Sequence, residues 1–162
     1  FVRFGDDLGT QQSLLISPES YRRRVKPYHA RLVRAVKEQS DSKVVLHSCG
    51  AVRDIIPDFI EIGIDAINPV QTTCAGMDPE SLKREIGDHI VFWGGGVDTQ
   101  HVLCHASPDE VRRVVRRSLN TFKPGGGYVF AQVHNIQPDV PVENVLAMYE
   151  SFHQNAHYQH GT

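Results

Sequence analysis

Residues 44–70 read VVLHSCGAVRDIIPDFIEIGIDAINPV, and this stretch decides the fold. Val44-Val45-Leu46-His47 is an apolar, mostly β-branched run that Ser48-Cys49-Gly50 ends. From about Val52, the residues Ile55, Ile56, Phe59 and Ile60 recur at helical spacing, with Pro57 as a point of division and Gly63 as the stop. Ile64–Val70 then reads as a second strand. Neither strand shows the alternation of a half-wet antiparallel sheet. The unit is therefore strand, helix, parallel strand, with helices covering the sheet.

The same alternation extends both ways. Upstream, Phe1–Phe4 is a short strand broken by Gly5-Asp6-Asp7. Ser17 caps a helix with Pro18 in its first turn, which runs to about Glu38 and is kinked or split at Pro27. Downstream, Asp78-Pro79-Glu80 opens a helix that Gly87 closes, and His89–Trp93 is a strand ended by Gly94-Gly95-Gly96. Ser107-Pro108-Asp109-Glu110 reads as a capping box for a helix to about Phe122. Gly127–Val133 is the last strand and Val142–Phe152 the last helix, with a polar, frayed tail over residues 154–162. Aromatic residues Phe92, Trp93, Tyr128 and Phe130 read as core.

The expected class is α/β: a partial (β/α)₈ TIM barrel made of about the last four to five βα units, in one domain over residues 1–162. A whole barrel takes about 250 residues. The chain opens inside a strand, so we expect the first strands to lie upstream or another copy to complete the sheet. A small doubly wound fold competes, but no glycine-rich phosphate fingerprint follows the first strand.

Composition narrows the function classes. A net charge of −2 leaves no electrostatic footprint for nucleic acid or an anionic membrane. The arginines at 22–24 and at 112, 113, 116 and 117 fall in helical patterns and read as solvated faces. No apolar run reaches the ~18–20 residues that span a bilayer, and no signal peptide opens the chain. Three cysteines make no disulfide framework, so a reducing cytoplasm is the expected location.

In parallel α/β folds, reactive groups gather at the C-terminal ends of strands. Here those ends carry, in turn, Asp6, Asp7 and Gln11; His47, Ser48 and Cys49; Asn68 and Gln71; Gly94–Gly96 and Asp98; and His134, Asn135 and Asp139. Gly94–Gly96 either lets a ligand approach the backbone or makes a bend, whereas Gly125–Gly127 precedes a strand and reads as a turn. His47 and Cys49, two apart just past a strand, suit one zinc ion. His134 is a candidate third ligand, or a general acid or base near neutral pH. Cys74 is a further possible thiol ligand, Cys104 reads as packing, and His153, His157 and His160 read as solvated tail.

His47-Ser48-Cys49-Gly50, Phe92-Trp93-Gly94-Gly95 with Asp98, and Val133-His134-Asn135-Ile136-Gln137-Pro138-Asp139 before Pro141-Val142-Glu143-Asn144 together resemble the uroporphyrinogen decarboxylase superfamily. That superfamily includes decarboxylases of haem biosynthesis and zinc-dependent cobalamin and coenzyme M methyltransferases. The resemblance runs from Phe4 to about Phe152 and implies the C-terminal half of the barrel. In the decarboxylases, the N-terminal strands supply arginines and an aspartate for the substrate, and nothing in this chain matches them. Methyltransferases carry a His-x-Cys pair, matched by His47 and Cys49, and a second Cys where this chain has His134. The decarboxylases carry a His at the last strand, which His134 also matches.

Two functional expectations follow from the resemblance, and a third from the chain's length and its open strand edges. The first is methyl transfer from a corrinoid carrier protein to a thiol, with zinc on His47, Cys49 and His134. Substrate would be oriented by Asp6, Asp7, Gln11, Asn68, Gln71, Asn135 and Asp139, with His134 and Asp98 catalytic. The second is decarboxylation of a tetrapyrrole acid, with His134 in proton transfer and no metal. The third is an inactive half-barrel that self-associates.

Overall fold

The computed structural model describes residues 1–158; His160 and the end of the tail lie outside that range. Five parallel strands form one sheet in the order β1-β2-β3-β4-β5: β1 Val2–Gly5, β2 Val44–His47, β3 Ala66–Asn68, β4 Val91–Trp93 and β5 Tyr128–Val129. Spatial order equals chain order. A doubly wound sheet reverses its order at a switch point, so this sequential arc is a barrel segment.

The helices are α1 Pro18–Arg24, α2 Lys26–Gln39, α3 Ile56–Glu61, α4 Pro79–Ile86, α5 Val102–His105, α6 Pro108–Phe122 and α7 Val142–Asn155. Three of them start by one device. Ser17, Asp78 and Ser107 each accept the backbone N–H three residues on, at 3.1, 2.8 and 3.3 Å, and a proline follows each cap. The Ser107 box forms only by half, because the Glu110 carboxylate turns to Arg113 instead of reaching back. The split near Pro27 falls at Val25, between α1 and α2.

Some elements differ from the sequence reading. A 3₁₀ turn over Arg53–Ile55 precedes α3, so the division expected at Pro57 falls just before it, with Pro57 in the first turn of α3. The short α5 was not foreseen; it is held by buried Asn144, whose amide donates to the Leu103 and Ala106 carbonyls at 2.9 Å each. Strand β3 stops at Asn68 because Pro69 has no N–H to continue the ladder. Helix α7 runs to Asn155, past the expected Phe152, and Lys123 binds the carbonyls of Asn155 and His157 at 2.9 Å.

One core packs Val44, Leu46, Ile67 and Phe92 of the strands against Tyr21, Val33, Ile55, Phe59, Leu82 and Phe122 of the helices. A second joins Leu103, Val111, Val115 and Leu119 to Ala147 and Met148. The opposite sheet face is less covered. There Phe1 is 71% exposed and meets Trp93 edge-on at 5.0 Å, and Val129 is half-exposed. No helix among the described residues is long and apolar enough to cross a membrane.

Buried Asp58 on α3 ties the first helices down. It accepts from Arg22 Nε at 3.0 Å and Lys26 Nζ at 2.7 Å. Burial pushes its carboxyl up, but the hydrogen bonds and charges of Arg22 and Lys26 together outweigh that and hold it below the usual carboxylate range. Asp58→Ala removes the buried partner of Lys26, whose ammonium keeps the exposed Glu61 at 2.7 Å, so we expect a loss of about 1–3 kcal/mol in urea unfolding. The depressed pKa sets the sign with pH. The aspartate's contribution is full above the unfolded value near ~3.9 and fades as pH falls through the folded one. The wild-type advantage over Asp58→Ala should therefore shrink in acid; an advantage independent of pH would refute the ion-pair account.

Candidate functional site

Parallel register builds the site. Gly5 lies beside His47, and His47 beside Asn68, so the loops leaving β1, β2 and β3 emerge level with one another. The first two loops then touch backbone to backbone. Ala51 N–H donates to the Thr10 carbonyl at 2.8 Å and Leu8 N–H to Ser48 Oγ at 3.1 Å. Gly50 has φ +91°, and a Cβ there would sit 2.4 Å from the Gly9 carbonyl carbon. Only glycine permits this approach.

The approach brings Asp7 to His47 and Cys49. Their donor atoms lie within 4.8 Å of one another. His47 Nε2 is 3.5 Å from Cys49 Sγ and 3.9 Å from Asp7 Oδ1, and Asp7 Oδ1 also accepts the Cys49 backbone N–H at 2.9 Å. Nitrogen, sulfur and oxygen donors of these types all serve zinc, and two ligands of one tetrahedral zinc, at 2.0–2.1 and 2.3 Å, stand about 3.6 Å apart. His47 Nε2 and Cys49 Sγ already stand at that spacing, and Asp7 Oδ1 lies a little farther out, so the donor set suits zinc. His134 is not in this group; it lies exposed in the loop after β5. Asp7 is the third donor within reach of the pair.

The Cys49 thiol is pushed up to about 11, first by burial and then by the negative charge and hydrogen bond of Asp7. Without metal the group is thus a thiol at neutral pH. Iodoacetamide should modify it slowly there, with a rate rising about tenfold per pH unit in alkali, since thiolate is the nucleophile. Asp7→Asn removes the repelling charge and should speed modification at neutral pH. Peptide mass spectrometry reads both; a Cys49 that outpaces a free model thiol at neutral pH would contradict this picture.

Beside the donors opens a cavity of about 800 Å³, lined by Cys49, Gln71, Gln100, Cys104, His134 and Asp139 among others. Gln71 Oε1 accepts Gly50 N–H at 3.0 Å. Gln11 bridges the wall, donating to Gln100 Oε1 at 3.1 Å and accepting from the buried Cys74 thiol at 3.0 Å. Cys104 donates to the Thr99 carbonyl at 2.8 Å and also faces this cavity. A smaller cleft of about 250 Å³ joins Arg3, His47 and Asn68 to His134 and Asn135.

Of the remaining sequence candidates, Asp6 and Asp98 lie outside the donor group, and Asn68 lines the smaller cleft beside His47. Asp6 pairs with buried His29, whose other nitrogen meets Tyr21 Oη; both contacts are 3.2 Å. Asp98 is buried at the start of α5, where Oδ2 accepts His101 N–H at 2.7 Å and Oδ1 has no partner among the described residues. Asn68 spends its amide inside the protein, on His47 Nδ1 and the Trp93 carbonyl. Arg3, which contacts His47 Nδ1 at 3.0 Å, was not singled out in the sequence. Alternation along β1 puts it on the face opposite Phe4, and that signal was available. Gly94–Gly96 forms a bend: Gly95 N–H donates to the Pro69 carbonyl at 2.9 Å.

Comparison with known proteins gives a consistent picture. The sequence profile described as "Uroporphyrinogen decarboxylase (URO-D)" matches residues 6–155. A uroporphyrinogen decarboxylase from Alkalilimnicola ehrlichii is 28% identical over 142 residues, covering 86% of this chain and 37% of that protein. One from Serratia proteamaculans is 33% identical over 98 residues, covering 60% of this chain and 26% of that protein. The structure of a methyltransferase from Methanosarcina mazei superposes with a TM-score of 0.72 at 24% identity, over 94% of this chain and 41% of that one. This last likeness speaks to the fold alone. The chain spans less than two-fifths of the length of these curated relatives.

Proposed function

The chain belongs to the uroporphyrinogen decarboxylase family, and from that premise we propose that its site serves zinc-dependent methyl transfer from a corrinoid carrier to a thiol. The observation that carries this reading is the Asp7–His47–Cys49 donor group at the edge of the large cavity. These three residues would hold the metal. Bound zinc lowers the pKa of a thiol and keeps it as thiolate, which is the chemistry such a transfer needs.

The chain's own groups supply the rest. Gln71, Asn135 and Asp139 present polar atoms to the cavity and would orient a small substrate, as the few convergent polar groups of a ligand pocket do. His134, exposed at the rim, would accept the thiol proton and pass it to water. A corrinoid protein would dock over the open mouth. The edges of β1 and β5 carry no neighbouring strand among the described residues, so further strands, from a longer chain or from a second copy, would complete the barrel wall. The three free thiols suit a cytoplasmic location.

The test is zinc per chain by elemental analysis, together with demethylation of methylcobalamin in the presence of a thiol. Near-stoichiometric zinc with thiol-dependent demethylation supports the proposal. Folded protein without zinc sinks it and favours the second reading, a metal-free tetrapyrrole decarboxylase. The names of the curated relatives and the placement of His134 on both cavities support that reading.

A further inference from the structure

We infer that Asn68 is a positioning residue that fixes the tautomer of His47, keeping the proton on Nδ1 so that Nε2 turns a lone pair toward the Cys49 thiol and the space between it and Asp7. The consequence for metal rests on the zinc reading above; the tautomer itself does not.

The inference turns on one nitrogen with two claimants. His47 Nδ1 lies 2.6 Å from Asn68 Oδ1 and 3.0 Å from Arg3 Nη2. A neutral imidazole nitrogen is either donor or acceptor. As a donor it suits Asn68; as an acceptor it suits Arg3. Asn68 cannot adapt. Its Nδ2 donates to the Trp93 carbonyl at 2.9 Å, and turning the amide over would press Oδ1 against that carbonyl, two acceptors facing each other. With the amide pinned, an unprotonated Nδ1 would set its lone pair against Asn68 Oδ1 at a distance that only a hydrogen bond tolerates. Arg3 sits at the exposed edge of the sheet, and its flexible guanidinium can move away into water. The proton therefore belongs on Nδ1.

That choice leaves Nε2 as the acceptor, and Nε2 is the atom 3.5 Å from Cys49 Sγ and 3.9 Å from Asp7 Oδ1. A metal-binding histidine is typically oriented this way, by an acceptor on its other nitrogen. The backbone supplies the precision. β2, β3 and β4 are adjacent, His47 pairs with Asn68 in register, and the Trp93 carbonyl closes the chain from the next strand.

The experiment uses metal-free chain labelled with ¹⁵N-histidine, in alkaline buffer where imidazoles are neutral. Long-range ¹H–¹⁵N correlation reports which ring nitrogen carries the proton, and His47→Gln identifies the signal. Wild type should show the proton on Nδ1. Asn68→Leu, which removes the acceptor, should move it to Nε2. Zinc affinity by chelator competition should fall about 10–100-fold in Asn68→Leu, the usual cost of losing such a partner. A wild-type His47 protonated on Nε2 overturns the inference even if Asn68→Leu fails to fold. So does an Asn68→Leu protein that keeps its proton on Nδ1. If the tautomer behaves as stated and no variant binds zinc, the inference stands and the metal reading falls.

Discussion

Cys49→Ala is expected to leave a folded chain with no retained zinc. A protein zinc site of the structural kind is worth about 10–16 kcal/mol, and if a thiolate supplies roughly a third of that, its loss weakens binding by about two to four orders of magnitude. The fold should survive, because the loop does not depend on the sulfur. Asp7 holds the backbone N–H of residue 49, Ser48 holds Leu8, and the Gly9–Gly50 contact is main chain. The metal-free melting temperature should therefore change little while zinc content drops to background. Two companions decide the ligand set. Asp7→Ala should also lose zinc, because Asp7 is the third donor of the proposed group. His134→Ala should retain zinc, because His134 is outside the donor group, and should lose activity instead. Retention of zinc by Cys49→Ala would sink the assignment. Loss of zinc in His134→Ala with retention in Asp7→Ala would restore the ligand set expected from sequence.

These outcomes also mark what the sequence could carry. Parallel α/β architecture was legible because uninterrupted apolar strands such as Val44–Leu46 alternate with amphipathic helices, and a strand buried on both faces has no polar stripe. Helix starts were legible because Ser17-Pro18, Asp78-Pro79 and Ser107-Pro108 act locally. The His47–Cys49 pair was legible for the same reason. Asp7 was seen as a strand-end carboxylate, but its distance to Cys49 depends on the β1–β2 register, which the residues between the two strands do not encode locally. Strand length was overestimated at β5. Backbone bonds from Gly96 to Ala131 and from Val133 to Val97 prolong the contact with β4, yet regular pairing ends at Val129. The commitment of Asn68 to His47 was hidden too: residue type says amide, and only its neighbours say which way the amide faces.

Gly94→Ala is expected to cost more stability than Asp58→Ala or the loss of any zinc donor. The two triple-glycine runs look alike in sequence and differ in space. A Cβ on Gly94 would lie 1.9 Å from the Pro69 carbonyl oxygen and 2.6 Å from its carbon, with φ at +125°. Those are backbone atoms, and they cannot swing aside as a side chain would. Pro69 follows Asn68 at the end of β3, its carbonyl accepts Gly95 N–H, and Gly94 N–H is committed to Val129 at 3.0 Å. Relief would require β3 and β4 to part at their C-terminal ends. Backbone strain of this kind costs about 1–3 kcal/mol before any clash is counted, and the separation should bring the total to roughly 4 kcal/mol or more. Domains of this size are stable by about 5–15 kcal/mol, so the variant should be largely unfolded in mild urea. Gly125→Ala is the control. Its φ is +75°, but nothing lies within 4 Å of the added carbon, so about 1–2 kcal/mol of left-handed strain is the whole expected cost. Equal losses at the two positions would mean that conformation alone explains both, and that the contact with Pro69 is not tight. The predicted gap instead makes Gly94 a spacer that sets how closely two strand ends meet. Those ends carry Asn68 and the Trp93 carbonyl, so a Gly94→Ala chain that still folds should show weakened zinc binding as well.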